Sequence, residues 1–314
     1  MTDDPGSLSM AAQSEQTESW VRRYLELSDA TDLEGLAEVI DDACEFHDVR
    51  YPPVVGKAAL VEWAPKLFSG MTEQKPKALV NLAVRGRVAI GEFDFEGHHT
   101  GEYRGFPPTG NVIRWSAVLI YTFNDAGLLT RMMYYYDVQA FEDQLSGKTI
   151  AGPRPTRKND AETPKLPREI VAAQSIETER WLRRYLELVD KRDIEALDPL
   201  IDDDVRFDDV RYEPVIGKAA LVEWGGGLFA GLSEQTRDSI PHLAVTGRCA
   251  IAEFTFSATH TGDYFGFPGT GNRIHWSACA VYRFTDEGKL VHQTYYNDVE
   301  ALEAQLAGRA LEPV

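Results

Sequence analysis

Cysteine is scarce in this chain of 314 residues. The three cysteines, Cys44, Cys249 and Cys279, do not recur at equivalent positions of the two copies and show no Cys-x-x-Cys spacing. This argues against a disulfide framework and against a zinc site. No stretch approaches about 18 apolar residues, so no membrane-spanning helix is predicted. Basic residues are also scarce, with 32 Lys and Arg against 50 Asp and Glu and a net charge of −18. This deficit argues against binding to nucleic acid or to an anionic membrane, since both need a basic face.

Signals for cofactors and for export are lacking as well. No glycine-rich phosphate loop or nicotinamide fingerprint precedes a βαβ unit, so we expect no nucleotide cofactor. The N-terminal segment MTDDPGSLSMAAQSEQ is acidic and polar without an apolar run, and no signal peptide is predicted. We therefore expect a soluble, cytoplasmic protein.

An internal repeat is the main positive feature of the sequence. One copy, WVRRYLELSDATDLEGLAEVIDDACEFHDVRY, begins at Trp20, and the other, WLRRYLELVDKRDIEALDPLIDDDVRFDDVRY, begins at Trp181. The offset of 161 (181 − 20) still holds between Asp137 and Asp298. About 130 residues are therefore repeated without a gap, and the chain is predicted to be one domain duplicated and fused.

Composition sets the predicted domain boundaries. Residues 1–15 are predicted to be a disordered leader. Residues 149–174 are rich in Pro and charge, a composition that cannot build a core and predicts an extended linker. The two copies, 16–148 and 175–310, are each long enough to bury a core of their own.

Each copy carries helical patterns first and strand patterns afterwards. In copy one the helical spacing of Trp20, Tyr24 and Leu27, and then of Leu33, Leu36 and Ile40, predicts two amphipathic helices. Asp32 is predicted to cap the second helix, as Asp193 is in copy two. This order predicts an α+β domain with helices on one face of a curved, mainly antiparallel sheet, a cone that offers a pocket. The remaining predicted elements of copy one are helices over 57–67 and 138–145 and strands over 45–49, 79–84, 88–97, 113–123 and 128–136.

The second half of each copy resembles a known family. The segments HTGEYRGFPPTGNVIRWSAVLIYTFNDAGLLTRMMYYYDVQAFEDQL and HTGDYFGFPGTGNRIHWSACAVYRFTDEGKLVHQTYYNDVEALEAQL resemble the SnoaL-like polyketide cyclases and ester cyclases of the NTF2-like superfamily. The resemblance implies two tandem NTF2-like cones whose sheets pack together as an intramolecular pseudo-dimer within a monomeric chain. It implies a hydrophobic small-molecule substrate, but its superfamily includes cyclases, isomerases, epoxide hydrolases and non-catalytic binders.

The resemblance also implies an acid/base residue after the last strand, a position held by Asp137 and Asp298. Both follow an aromatic strand, so Tyr135 and Tyr296 are predicted to lie against the substrate. Desolvation among aromatic rings would raise the pKa of such an aspartate toward neutrality. The alternative is an N-cap, because an Asp directly before a helix commonly caps it.

A second carboxylate position recurs as Asp48-Val49-Arg50 and Asp209-Val210-Arg211. Residues i and i+2 of a strand share a face, so carboxylate and guanidinium are predicted neighbours. They would orient a water or take a proton and stabilise an oxyanion; the alternative is a structural ion pair. The next residues, Tyr51 and Tyr212, are predicted to line the same mouth.

Several further positions are candidates for substrate contacts. His99 and His260 are candidate general bases or the hydrogen-bonding residues of a turn. Glu92 and Glu253 alternate with phenylalanines and are second acid/base candidates or members of a solvated sheet face. The remaining predicted contacts are Trp115 and Trp276, as core or interface first and pocket lining second.

The copies differ where a pocket would be lined. Arg104 corresponds to Phe265, and Tyr136 to Asn297. The two pockets are therefore predicted to be chemically unequal, as two successive reactions or as one active and one scaffold copy. A metal site shared by both copies is not expected, since His47 and His98 occur in copy one alone. In copy one, His47, Asp48, His98 and His99 could assemble a metal site, but their spacing is not diagnostic and none is predicted.

Together these patterns predict a cofactor-independent cyclase or isomerase acting on a hydrophobic, oxygenated natural-product intermediate. One alternative is epoxide opening, which needs a carboxylic acid and a carboxylate in one cavity. The other is a non-catalytic binding or scaffold protein whose aspartates serve as helix caps.

Overall fold

The computed structural model describes residues 8–148, 166–209 and 212–309. It contains two α+β domains with the same order of elements, as predicted. The N-terminal domain comprises α1 Met10–Asp29, α2 Leu33–Glu38, β1 Ile40–Asp48, β2 Val54–Val55, α3 Lys57–Gly70, β3 Met71–Arg85, β4 Val88–His99, β5 Val112–Phe123, β6 Leu129–Tyr136 and α4 Val138–Leu145. The C-terminal domain comprises α5 Arg168–Lys191, α6 Ile194–Leu197, a 3₁₀ turn Asp198–Leu200, β7 Ile201–Asp209, β8 Val215–Ile216, α7 Lys218–Gly231, β9 Leu232–Thr246, β10 Cys249–His260, β11 Arg273–Phe284, β12 Leu290–Asn297 and α8 Val299–Leu306.

The predicted helix caps are confirmed. Asp32 accepts a hydrogen bond from the Gly35 amide and starts α2, and Asp193 does the same for α6 through Ala196. The second helix is shorter than predicted, because Ile40 is already the first residue of β1 and is buried in the core. Because the helical spacing of apolar residues continues as far as Ile40, this boundary cannot be seen in the sequence.

Two helices begin inside segments for which no regular structure was predicted. Helix α1 begins at Met10, inside the segment 1–15 predicted to be disordered, and α5 begins at Arg168, inside the predicted linker. Residues 149–165 of that linker lie outside the described residues. None of the described helices is long and apolar enough to cross a membrane.

Each domain is built on one six-stranded sheet, in the order β2-β1-β6-β5-β4-β3 and β8-β7-β12-β11-β10-β9. All neighbours are antiparallel except β1 with β6 and β7 with β12. Helices α1 and α5 pack on the long strands of their own domain. One face of each sheet therefore turns toward helices, with side chains such as Phe93 and Tyr121 in the core.

The opposite sheet faces contact each other across the two domains. Their alternate residues form one buried cluster with members from both domains, including Ile90, Val118 and Ile251. Side chains of successive strand residues point to opposite faces. Each sheet thus has one face toward its own helices and the other toward the second domain.

Two buried glutamates lie in this contact, which corrects the prediction that they face the cavity or solvent. The Tyr296 hydroxyl donates to Glu92 at 2.7 Å, and the Tyr135 hydroxyl donates to Glu253 at 2.7 Å, each from the other domain. Burial is the largest single influence on the pKa of Glu253, and it acts to raise that pKa. Hydrogen bonds from His242 and Tyr135 outweigh it, so the pKa of Glu253 lies below its usual range. Successive residues of a strand face opposite sides of the sheet. The glutamates alternate with phenylalanines that face the cavity, so the glutamates face the other domain.

Replacing Tyr296 by Phe would leave a buried carboxylate oxygen of Glu92 without its interdomain donor. We expect Tyr296→Phe to lower the free energy of unfolding by about 1–3 kcal/mol in urea titrations. Tyr24→Phe is the control, because among the described residues its hydroxyl has one hydrogen-bond partner, the Met132 sulfur of its own domain, at 3.9 Å. Equal losses in the two variants would contradict a structural role for the crossed pair.

Candidate functional site

Each domain encloses a cavity between its helices and the helix-side face of its sheet. The cavity has a volume of about 170 Å³ in the N-terminal domain and about 200 Å³ in the C-terminal domain. Equivalent aromatic side chains line both, with Trp63 and Tyr134 in the first corresponding to Trp224 and Tyr295 in the second. Both walls are largely apolar, so the few polar groups in them determine what each cavity can do.

Asp209 and Tyr295 place a carboxylate beside a phenol in the C-terminal cavity. Asp209 ends β7 and pairs in register with Tyr295 of β12, and both line the cavity. Trp276 donates its indole N–H to the Tyr295 hydroxyl oxygen at 3.0 Å. The Tyr295 O–H hydrogen is therefore left to donate elsewhere, and burial raises the Tyr295 pKa and keeps it protonated.

Five further charged or amide side chains line the C-terminal cavity: Asp190, Gln235, Arg237, Gln293 and Asn297. Arg237 forms an ion pair with Asp190 and also donates to the Leu186 carbonyl. Gln293 accepts from the Tyr185 hydroxyl at 3.5 Å. The buried Oδ1 of Asn297 has no hydrogen-bond partner among the described residues. Sequence reasoning missed all of these except Asn297, which the comparison of the two copies singled out.

Asp48, the counterpart of Asp209, is held in a hydrogen-bonded network. Its side chain is 1% exposed and accepts from Arg104 at 2.9 Å and from the Tyr136 hydroxyl at 3.3 Å. It also accepts from the Arg50 backbone amide at 3.0 Å. The Arg104 guanidinium lies 3.8 Å over the Tyr51 ring and lines the N-terminal cavity. In the N-terminal domain the carboxylate is thus already occupied by protein donors.

The C-terminal domain replaces both side-chain partners of that network. Phe265 stands where Arg104 does and stacks on Tyr212 at 4.1 Å with nearly parallel rings. Asn297 stands where Tyr136 does. The predicted inequality of the two pockets therefore has a specific origin in these two positions.

The predicted pairing of Asp48 with the Arg50 side chain is corrected by the structure. The Arg50 guanidinium instead contacts Glu300 of the other domain at 3.2 Å, while Asp48 pairs with Arg104. Arg211 lies outside the described residues. Tyr51 and Tyr212 lie behind Arg104 and Phe265 and donate to Glu142 and Glu303.

Asp137 and Asp298 cap helices, in agreement with the alternative interpretation. Each accepts a hydrogen bond at 2.9 Å from the amide three residues on, Ala140 or Ala301. Neither belongs to the described linings of the two cavities. Burial raises the Asp298 pKa to about 6. Asp298 also interacts with the charges of Arg50 and Asp48 of the other domain. The expected pKa shift is present in Asp298, but away from either cavity.

The remaining predicted contacts divide between turns, the domain contact and the cavity. His99 and His260 hold their turns through Thr109 and Thr270 at 3.0 and 3.1 Å, as the alternative for them stated. Trp276 lines its cavity, whereas Trp115 stacks on Phe95 behind the lining. In the described ranges no three His, Cys, Asp or Glu side chains are grouped to hold a metal. Tyr135, Tyr296, Glu92 and Glu253 belong to the contact between the domains.

A family model described as SnoaL-like polyketide cyclase matches residues 18–145 and again residues 179–306. The chain belongs to the SnoaL-like polyketide cyclase family. No curated protein matched it in a sequence comparison. Each of its SnoaL-like domains therefore carries the family pattern independently.

Solved structures similar to single SnoaL-like domains of the chain include three bacterial proteins. One, described as a SnoaL-like polyketide cyclase from Jannaschia sp. CCS1, is 20% identical, with 46% of this chain and 100% of that chain covered and a TM-score of 0.42. A protein from Xanthomonas campestris pv. campestris, described as a polyketide cyclase, is 16% identical, with coverages of 43% and 99% and a TM-score of 0.39. An LEH-like epoxide hydrolase from M. tuberculosis is 16% identical, with coverages of 42% and 91% and a TM-score of 0.35.

The raised pKa of Asp298 makes a pH-dependent contribution to stability. Its folded-state pKa of about 6 exceeds the ordinary value of 3.8, so the contribution is present below about pH 4 and is lost as the pH rises through 6. We expect the unfolding free energy of the wild type, relative to Asp298→Asn, to fall by on the order of 1–3 kcal/mol between pH 4 and 7.5. Urea titrations at both pH values measure this, and a difference independent of pH would contradict it.

Proposed function

We propose that the C-terminal domain is a cofactor-independent acid/base cyclase or isomerase acting on a hydrophobic, oxygenated, polyketide-like small molecule. The observation that carries the proposal is the pair Asp209 and Tyr295, adjacent in register and lining a largely apolar cavity. A carboxylate can take a proton from carbon next to a carbonyl, and a neighbouring phenol can stabilise the oxyanion that forms. Membership of the SnoaL-like family supports the same class of reaction.

The proposed reaction balances its protons within this pair. Asp209 removes a proton from the carbon beside a substrate ketone, and the C–H electron pair moves into the enolate. Tyr295 donates its hydrogen bond to the enolate oxygen. In a cyclase the enolate carbon then forms a C–C bond to a second carbonyl of the substrate, whose alkoxide takes the proton back from Asp209. In an isomerase the proton returns to a different carbon.

Cavity size restricts the substrate. A volume of about 200 Å³ lies below the ~300–1,000 Å³ typical of sites for drug-sized ligands. In this conformation the cavity suits one or two fused rings, or one end of a longer polyketide. The Asp190 side chain is 48% exposed, so it lies where the cavity meets solvent. A polar end of the molecule would therefore lie beside the Arg237–Asp190 pair.

The C-terminal domain is favoured over its partner because of the groups around the carboxylate. In the N-terminal domain Arg104 and Tyr136 donate to Asp48, and Asp48 is not among the described residues that line its cavity. At the positions of those two donors the C-terminal domain has Phe265 and Asn297, and Asp209 lines its cavity. Asp209 is accordingly proposed as the base, and Asp137 and Asp298 as helix caps.

Epoxide opening is the second candidate, and one observation favours it. Asp190 and Asp209 line the same cavity, as an acid and a carboxylate base acting on one epoxide would require. Asp190 contacts Arg237 and would activate the nucleophile, while Asp209 would protonate the epoxide oxygen. A non-catalytic binding protein is the remaining alternative, in which the same cavity holds a ligand unchanged.

We also propose that the chain functions as a cytoplasmic monomer whose domains form an intramolecular pseudo-dimer. The buried cluster shared by both sheets and the two crossed Tyr–Glu hydrogen bonds support this arrangement. The acidic surface, with a net charge of −18, supports a small-molecule rather than a nucleic-acid partner.

Deuterium exchange at the α-carbon of 2-tetralone, followed by NMR in D₂O, tests the proposed base without knowledge of the natural substrate. We expect Asp209→Asn to lower the enzyme-catalysed exchange rate by about 10²–10⁴-fold, because the amide cannot accept the proton. Asp48→Asn and the double variant Asp137→Asn/Asp298→Asn are the matched controls and should retain the rate. Full exchange in folded Asp209→Asn, or its loss in the double variant, would contradict the assignment.

Hydrolysis of styrene oxide separates the two candidate reactions. If epoxide opening is the activity, Asp190→Asn and Asp209→Asn should each abolish hydrolysis, since both carboxyl groups are needed. If enolisation is the activity, Asp190→Asn should leave tetralone exchange within about threefold of wild type, because this residue holds only the substrate's polar end. Hydrolysis that survives in both variants would contradict the epoxide mechanism.

A further inference from the structure

The contact between the domains holds two polar clusters that occupy equivalent positions but are built from different side chains. Glu92 and Glu253 each accept a hydrogen bond from a tyrosine of the other domain. Asn81 Nδ2 also donates to Glu92, whereas His242 Nδ1 lies 2.6 Å from Glu253. Asn81 and His242 are equivalent, since they are 161 residues apart (242 − 81). The same place on the two sheets therefore holds an amide in one domain and an imidazole in the other.

An arginine of the other domain completes the Glu92 cluster. Asn81 is 2% exposed, and because its Nδ2 is bonded to Glu92, its buried Oδ1 needs a donor of its own. The Arg283 guanidinium supplies that donor at 2.7 Å. Arg283 thereby brings a positive charge to within one side chain of the buried Glu92 carboxylate.

The Glu253 cluster has a different residue at the position of that arginine. Thr122 corresponds to Arg283. The crossed Tyr–Glu bonds, 2.7 Å in both directions, relate the two halves of the contact by an approximate twofold axis, which places Thr122 on the side of His242. A protonated imidazole has donors on both ring nitrogens, so it would offer an arginine no acceptor and would repel it. Arg131 also attracts Glu253, but it belongs to neither of the two exchanged positions.

The basic side chains of the two clusters belong to one domain. His242 and Arg283 are both in the C-terminal sheet, and the N-terminal sheet has Asn81 and Thr122 at the same positions. Two N-terminal faces together would bury two copies of Glu92 with neither basic side chain. Two C-terminal faces would set His242 against Arg283. Each glutamate therefore has one of these basic side chains in its cluster only when unlike faces meet.

We propose that these four residues make each sheet face selective for the other domain, so that the N-terminal face binds a C-terminal face and disfavours a second copy of itself. The selection lies in two matched pairs, Asn81 with Arg283 and Thr122 with His242. It rests on the pseudo-dimer proposed above and not on the proposed reaction, whose residues line a cavity on the opposite face of the sheet. A duplicated chain needs such selection, because its two halves share one scaffold and a second chain presents the same faces.

Exchange of these side chains between the domains of the full chain tests the selection. His242→Asn/Arg283→Thr gives both faces the N-terminal side chains, and Asn81→His/Thr122→Arg gives both faces the C-terminal ones. We expect each double variant to raise the equilibrium constant for unfolding about 10–100-fold in urea titrations at pH 5.5, below the ordinary histidine pKa of about 6.5. The four-residue exchange restores both matched pairs and should return to within about threefold of the wild type.

Compensation in the four-residue exchange distinguishes selection from separate local losses. If each substitution acted alone, this variant would be less stable than either double variant, because independent losses add. That result, or double variants as stable as the wild type, would overturn the proposal. If a double variant fails to fold, recovery of folding in the four-residue exchange supports the proposal, and failure of that variant to fold overturns it.

Tyr296→Phe separates this proposal from the pseudo-dimer itself. A loss of stability in Tyr296→Phe, with no difference among the exchange variants, would overturn the selection alone. No loss in Tyr296→Phe or in the exchange variants would overturn the pseudo-dimer as well. The exchange of 2-tetralone is measured separately, so failure of the proposed reaction is distinguishable from both.

Discussion

The packing of one sheet face against the other domain is the constraint on which the rest of this structure depends. Ile90, Val118, Ile251 and their neighbours remove that face from water. The glutamates on the same face then need donors, which the tyrosines of the opposite domain supply. With one sheet face used in this way, only the helix-side face remains to form a cavity.

Duplication within one chain allows that contact and the two cavities to change separately. The contact keeps its crossed Tyr–Glu pairs in both directions, but it is no longer symmetric. Arg283 donates to Asn81 of the other domain at 2.7 Å, whereas Thr122 stands at the corresponding position of the N-terminal domain. On the cavity side, two substitutions separate a carboxylate fixed by Arg104 and Tyr136 from one beside Phe265 and Asn297. The common scaffold therefore supports two chemically different interiors.

Much of the fold could be predicted from the sequence because strand periodicity and helix caps are local. Asp32 and Asp193 cap the helices predicted for them, and the strands from 88 to 136 lie within a few residues of their predicted bounds. The pairing of β1 with β6 in parallel was not predicted, because register between distant strands depends on packing rather than on local pattern.

The site was harder to predict, because strand alternation identifies two faces without saying what covers each. Glu92 was assigned to the cavity or to solvent, although the second domain covers it. Arg104 was noticed only as a difference between copies, and its pairing with Asp48 joins residues 56 positions apart. Asp190, Gln293 and Arg237 gave no signal, since their role comes from helix α5 and the sheet meeting at one cavity.

A crystal structure of the full chain with 2-tetralone bound would locate the base directly. We expect the ketone in the C-terminal cavity, with its oxygen within hydrogen-bond distance of the Tyr295 hydroxyl and its α-carbon facing Asp209. A ketone bound beside Asp137 or Asp298, or in the C-terminal cavity with its α-carbon turned away from Asp209, would show that Asp209 is not the base.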